Sequence, residues 1–313
     1  MTLIVGAGLL LLVAALGLVA HNRTPGRATA LGVSAFSPYL MLAAVPALIV
    51  LVLARQWFGV AVAAIVLVLC VSTQGRLYLA ETGPADARPL VTLTANLHLG
   101  DANAAELVAA VRTHRVDLLA TQEMTPESEQ RILDAGILTE LPYQATDSKP
   151  GAAGTGLWSR YPLSAIDRRK DFSFAAVTAS LELPGVPRPV TVGAFHMNGP
   201  VPHSAAWQDD IRHLPSVLRE LGHGGPVVAA GDLNATPDIV QFRDLLVDGY
   251  ADAAQQAGAG MTLTYPADRW YPPLIAIDHV LTRDAVATTA DTIHISDTDH
   301  RALLVTVQVP RTA

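Results

Sequence analysis

A layered α/β domain behind three apolar membrane spans is the fold class this sequence predicts, on three observations. Residues 1–75 hold no acidic side chain and only three arginines, Arg23, Arg27 and Arg55, set between long uncharged runs. From Leu90 onward, short apolar runs alternate with segments of helical spacing. Val227 to Ala230 is a continuous apolar run, as in a strand covered on both faces, and it ends in Gly231-Asp232-Leu233-Asn234.

The apolar runs are Thr2–Ala20, Ala28–Ala54 and Phe58–Gln74, of 19, 27 and 17 residues. Each approaches or exceeds the roughly 20 residues that cross about 30 Å of hydrocarbon. The connectors His21–Arg27 and Arg55–Trp57 carry the charges, and Trp57 suits an interface. A signal peptide would need a basic start and would not be followed by two further runs. Residues 1–75 are therefore expected to be a three-helix, multi-pass anchor with the lipid bilayer as partner. No ionisable group inside the runs points to transport.

Arg23, Arg27, Arg76 and Arg88 fall on one side of such an anchor, and Arg55 with the terminal amine on the other. That count favours a cytoplasmic carboxy-terminal part. Membrane-anchored chains of similar build carry that part outside, and the outer face of the cell membrane is the expectation kept here.

Residues 76–89 read as a linker and 90–313 as one α/β domain. Strands are expected at Leu90–Leu97, Val116–Ala120, Gly154–Pro162, Ala175–Leu183, Pro189–Met197, Val227–Ala230, Leu274–Leu281 and Ala302–Val309. Helices are expected at Ala104–Arg115, Glu127–Ala135 and Ser204–Leu221. Thr236, Pro237 and Asp238 stand as N-cap, first position and first turn of a further helix, whose N-terminus would favour an anion. Trp207, Trp270 and Tyr271 read first as packing residues, the last two on a loop that could instead line a substrate cleft, and His98, Asp101, His114, His203, His213, His223 and His294 as surface or loop residues.

Beyond residue 75 there are 18 basic and 28 acidic residues, a net of −10. Such a surface does not neutralise a phosphate backbone, so no stable nucleic-acid complex is expected. Cys70 is the only cysteine and lies in an apolar run, which excludes a disulfide framework and a Cys-rich zinc site.

Acids, amides and histidines recur at strand ends: Asn96, Glu123, His196, Asp232, Asn234, Asp278, Asp299 and His300. No His-Glu-x-x-His or Gly-x-Ser-x-Gly pattern accompanies them. Oxygen donors of this kind suit Mg²⁺ or Mn²⁺ bound together with a phosphate. A carboxylate can assist an attacking water, and a histidine paired with an acid can hold a phosphoryl oxygen. Metal-assisted phosphoester hydrolysis uses every part of the set.

The ordered set Asn96, Gln122-Glu123, Ser159-Arg160-Tyr161-Pro162, His196, Gly231-Asp232-Leu233-Asn234, Ile277-Asp278-His279-Val280 and Asp299-His300 resembles the endonuclease/exonuclease/phosphatase family, from about Leu90 to the carboxy terminus. The resemblance implies a DNase-like fold, a four-layer α-β-β-α sandwich, and one Mg²⁺ or Mn²⁺ ion. It implies Glu123 as main metal ligand with Asn96 and Asp299 close by. It also implies Asp232 as the residue that orients or deprotonates water, and Asn234 as a phosphate contact. His300, paired with Asp278, would bind or protonate the phosphoryl group, and His196 would be a second catalytic histidine.

Leu233 stands where the family often has Phe, Thr298 where it has Ser, and Ala302 where it has Pro; none is a ligand or base. The surroundings of His196 depart further from the family's pattern. The function expected is a membrane-anchored phosphodiesterase acting on a lipid headgroup or small phosphoester. A membrane-tethered nuclease and a non-catalytic membrane scaffold are the alternatives.

Overall fold

A computed structural model describes residues 2–24 and 26–311. Met1, Pro25 of the expected first connector, and positions 312–313 of the expected domain lie outside the described residues. The first apolar run forms α1 (Thr2–Asn22). The second is not the single helix expected from its composition. It divides into α2 (Ala28–Ala35), α3 (Ser37–Met41) and α4 (Ala44–Leu53), with a 57° bend between Ala28–Ala35 and Ser37–Leu53. Pro38 opens the part after the bend, where a missing N–H is harmless. Leu31 leaves the apolar bundle and joins the core of the polar domain beside Trp207 and Ile211.

The third run forms α5 (Trp57–Gln74). By length and composition α1 and α5 can each cross a membrane, and the bent pair makes a third candidate. The last turns of α1 and α5 meet at one carboxylate. Asp238 Oδ1 lies 3.0 Å from His21 Nδ1 and accepts from Gln74 Nε2 at 2.8 Å. This overturns the expected helix start: residues 236–238 form a turn, and the helix that follows, α10 (Val240–Arg243), has Ile239 before it. The cap signature lost because two long-range partners hold the carboxylate. Asp238→Ala removes both contacts, at roughly 2–3 kcal/mol for a charged hydrogen-bonded group. The variant is expected to melt lower and to be nicked faster by protease between residues 79 and 86.

The remaining chain builds two six-stranded sheets. The first has β1 (Ala87–Asn96), β2 (Leu118–Gln122), β3 (Tyr143–Asp147), β4 (Thr155–Ser159), β11 (Val286–Ile293) and β12 (Ala302–Pro310), in the order β11-β12-β1-β2-β4-β3. The second has β5 (Leu163–Arg169), β6 (Ala176–Leu181), β7 (Val190–His196), β8 (Val227–Asp232), β9 (Tyr250–Asp252) and β10 (Asp278–Arg283), in the order β5-β6-β7-β8-β10-β9. Their inner faces share one core, with Leu118, Leu157, Leu303 and Val307 meeting Val177, Val192, Val228 and Val280. Helices α6 (Ala104–Thr113) and α7 (Pro126–Asp134) cover the first sheet through Leu107, Val111 and Ile132. Helix α9 (Pro200–Leu221) covers the second through Trp207, Ile211 and Leu214. The result is a DNase-like α-β-β-α sandwich.

Trp207 is a packing residue, as expected, but Trp270 is not. It is 96% exposed, on a loop that follows Tyr265.

Each sheet contains one parallel pair, β1–β2 and β7–β8, joined by crossover helices α6 and α9. In register, Asn96 pairs with Gln122 and His196 with Asp232. Antiparallel β10 starts beside Asp232, with Asp278 as its partner. So the polar residues that end the apolar runs come to one edge of the sandwich, where open α/β sheets place ligands.

Candidate active site

Asp232 lies at the centre. Its carboxylate is buried at the end of β8. Oδ1 accepts from the Asn234 backbone N–H at 2.8 Å, and Oδ2 accepts from Asn96 Nδ2 at 3.0 Å. The first contact is an Asx-turn, and it accompanies a left-handed backbone at Asn234, φ 49°. Gly231 before it has φ 155°, and a Cβ there would stand 1.8 Å from the Phe195 carbonyl oxygen. Only glycine lets β8 pass β7 at this point. Asn234 Nδ2 donates to the Met197 carbonyl at 2.9 Å, which ties the loop back onto the end of β7.

Glu123 follows β2, again with a left-handed backbone, φ 55°. Its Oε1 accepts from Asn96 Nδ2 at 3.2 Å and its Oε2 from the Leu99 N–H at 2.6 Å. Asn96 therefore donates to both Glu123 and Asp232, across the two sheets. Thr298 holds it from behind: its hydroxyl donates to the Asn96 carbonyl at 2.9 Å and accepts from the His300 N–H at 3.2 Å. The hydroxyl explains why Thr serves where the family has Ser.

His300 Nδ1 sits 2.8 Å from Asp278 Oδ2. Its Nε2 faces Asp232 Oδ2 at 3.7 Å and Asp299 Oδ1 at 3.9 Å. Burial works to lower the His300 pKa, but Asp278, with Asp232 and Asp299, more than reverses this and pushes it up to about 10. The ring is then a cation that presents an N–H to the cleft. Tyr265 stacks on it at 5.0 Å between centroids. For Asp232, burial first and Asp278 second push the carboxyl up to about 7, against His300.

His196 behaves oppositely. Burial lowers its pKa, against an upward pull from Glu123. Its Nδ1, 3.0 Å from the Ala152 carbonyl, must carry the proton of the neutral ring. Its Nε2 is then an acceptor, 3.8 Å from Glu123 Oε1 and 3.7 Å from Asp232 Oδ2. Phe174 stacks on its face.

All eight side chains expected at the site thus fall in one cluster of mutual contacts. His98, expected to be a surface or loop residue, joins them through Nδ1, 3.4 Å from Asp299 Oδ1. Tyr265 and Phe174 gave no signal in the sequence, because a ring's stacking partner is set by the folded loops. His279, next to Asp278, points to the opposite face, where it bridges Asp252 and the Ala235 carbonyl.

The donor set fits a hard divalent cation. Among the described residues, the ion pairs of Glu123, Asp232, Asp278 and Asp299 are all with histidines. The acceptor His196 Nε2 faces two further acceptors, Glu123 Oε1 and Asp232 Oδ2, and Asn96 Nδ2 donates to both of those. The buried Asp278 Oδ1 has no hydrogen-bond partner. Ligand atoms of Asp232, Asp278 and His300 also lie within 4.8 Å of one another. There the His300–Asp278 hydrogen bond already occupies two of the three, whereas Glu123 stays partly open to the cleft.

The sequence profile of the endonuclease/exonuclease/phosphatase family matches residues 93–300, well over half of the chain. The chain belongs to this family. Membership makes it a phosphodiester-hydrolysing enzyme, and the enzymes of this family depend on a divalent metal.

Solved structures agree on the fold. A humanized D. rerio TDP2 carrying 14 mutations is 16% identical, with a TM-score of 0.60 over 70% of this chain and 98% of that one. D. rerio TDP2 complexed with single strand DNA product gives 16% and 0.57 over the same shares. An endonuclease/exonuclease/phosphatase from Bacteroides vulgatus gives 15% and 0.57, over 71% of this chain and 99% of that one. No curated protein matches the chain.

Proposed function

We propose that this family member is a membrane-anchored phosphodiesterase that hydrolyses a lipid headgroup or small phosphodiester with Mg²⁺ or Mn²⁺. The observation that carries the chemistry is the buried Asp232 carboxylate 3.7 Å from Nε2 of His300, whose other ring nitrogen lies 2.8 Å from Asp278. Asp232, pushed up to about 7, can take a proton from water near neutral pH. His300, pushed up to about 10, stays cationic there.

His300 Nε2–H binds a phosphoryl oxygen and can protonate the leaving oxygen. Asn234 contacts the phosphate, and His196, neutral, accepts a hydrogen bond from the attacking water. Asp278 positions His300, and Asn96 positions Glu123 and Asp232. Glu123, with Asn96 and Asp299 beside it, would hold one ion. When bound, that ion neutralises charge on the phosphoryl group and favours departure of the leaving oxygen.

The three apolar segments support a multi-pass position in the cell membrane; the outer face for the catalytic domain follows membrane-anchored chains of similar build, against the arginine count. The net charge of −10 beyond residue 75 favours a lipid or small phosphoester over a nucleic acid. A membrane-tethered nuclease is the second reading, supported by the fold likeness to D. rerio TDP2 solved with single strand DNA product.

A substrate panel separates the two. Full-length protein in Mg²⁺ is expected to cleave bis(p-nitrophenyl) phosphate or phospholipid vesicles faster than single- or double-stranded DNA; the reverse order selects the nuclease. Protease added to intact cells is expected to remove the catalytic domain. Its protection would place the domain in the cytoplasm.

A further inference from the structure

Trp270, 96% exposed, is the most exposed large apolar side chain among the described residues, and its ring meets that of Tyr271 edge-on at 5.4 Å. A single exposed apolar residue is ordinary. What distinguishes this one is how its loop is held. The loop leaves and re-enters at Tyr265 and Ile275, which pair as an isolated bridge, with the Leu274 and Ile275 N–H groups both donating to the Tyr265 carbonyl. At this base, one side touches the catalytic cleft: Tyr265 stacks on His300, and the Ala267 N–H donates to the Asp299 carbonyl at 2.7 Å. The other side touches the anchor: the Tyr39 hydroxyl of α3 donates to the Leu274 carbonyl at 2.6 Å.

With the helices read as an anchor, Tyr39 would lie near the bilayer surface. Thr73 Oγ1, in the last turn of α5, contacts Met41 Sδ at 3.5 Å, so Met41 is level with the end of that helix. Tyr39 is two residues nearer the domain. Trp270 is four residues from Leu274 and, at no more than about 3.6 Å per residue, stays within about 14 Å of it. Pro272 and Pro273 stiffen that short path. The tip sequence, Arg269-Trp270-Tyr271, has the residue types that favour the headgroup layer.

We propose that residues 267–273 form a second membrane contact, with Trp270 seated in the headgroup layer of the bilayer that the helices span. The partner is a lipid surface. The contact holds the cleft mouth, at His300 and Asp299, against that surface, so a phosphodiester can be taken while its apolar part stays in the bilayer. This rests on the reading of the helices as an anchor and of the cleft as a phosphodiesterase site.

The test uses full-length protein in phosphatidylcholine–phosphatidylglycerol vesicles, with and without brominated phosphatidylcholine. In a Trp57→Phe background, the emission lost on adding Trp270→Phe reports Trp270, since Trp158 and Trp207 are buried and common to both. That emission is expected to be blue-shifted from its aqueous position and quenched by bromine placed high on the acyl chain. Aqueous emission that bromine does not quench would overturn the proposal.

Activity gives an independent arm. Trp270→Ala is expected to lower cleavage of vesicle phospholipid about 10-fold relative to cleavage of soluble bis(p-nitrophenyl) phosphate, which it leaves unchanged. An equal fall on both substrates would place Trp270 in the cleft and overturn the membrane role. If wild-type protein cleaves no phospholipid, the lipid substrate fails, while the quenching still decides where the loop lies.

Discussion

Asp232→Asn is expected to lower turnover on a phosphodiester by about 10³-fold, the middle of the range for losing a general base. The substitution keeps shape and can keep the hydrogen bond from the Asn234 N–H, so the fold should survive. It should do better than survive. The folded Asp232 carboxyl sits at about 7 against an ordinary 3.8, because burial and Asp278 oppose its charge. A group raised on folding contributes its stability fully below the ordinary value, and loses it as pH rises through the folded one. At pH 8 the wild type therefore carries a buried, disfavoured carboxylate that the amide lacks. In chelator at pH 8, Asp232→Asn is expected to melt above wild type while being nearly inactive. Lower melting together with retained turnover would mean that Asp232 is a structural acid.

The second large effect belongs to Asp278→Asn. Asp278 does not face substrate in this account; it holds His300 at 2.8 Å and keeps it protonated. Turnover is expected to fall about 10²-fold. The more diagnostic reading is the pH profile. In wild type the alkaline limb should follow His300, whose activity-bearing proton leaves as pH rises through about 10. Without the Asp278 charge, burial is opposed only by Asp232 and Asp299, so the limb should move to lower pH. A fall in rate with an unmoved limb would reduce Asp278 to packing.

Much of this site was legible from residue order alone, for a physical reason. Apolar runs that are covered on both faces end abruptly where the chain meets solvent, so Asn96, Glu123, His196 and Asp232 announce both the strand end and the chemistry placed there. Two parallel pairs with crossover helices then bring those ends to one edge. What depends on distant packing was not legible.

Asp238 carries a helix-start signature, yet His21 and Gln74, 217 and 164 residues away, take its carboxylate. Ala28–Ala54 has the composition of one span, but Leu31 finds a better partner in the core beside Trp207 than in the bundle, and the run bends. His98 is the loop residue it looked like, but its partner, Asp299, comes from the far end of the chain, so the contact had no sequence signal. Trp270 read first as a packing residue of a loop because composition cannot tell a ring that packs from one that projects.

If these carboxylates and histidines work around one divalent cation held mainly by Glu123, hydrolysis must follow that ion. The experiment follows cleavage of a simple phosphodiester by full-length protein in Mg²⁺, after chelation, and after Mg²⁺ is returned, in wild type and Glu123→Gln. The expected result is activity that disappears with chelator and returns with Mg²⁺ in wild type, and about 10²-fold less activity or below at every Mg²⁺ concentration in the variant. Hydrolysis indifferent to chelator, or a Glu123→Gln variant as active as wild type, would contradict it.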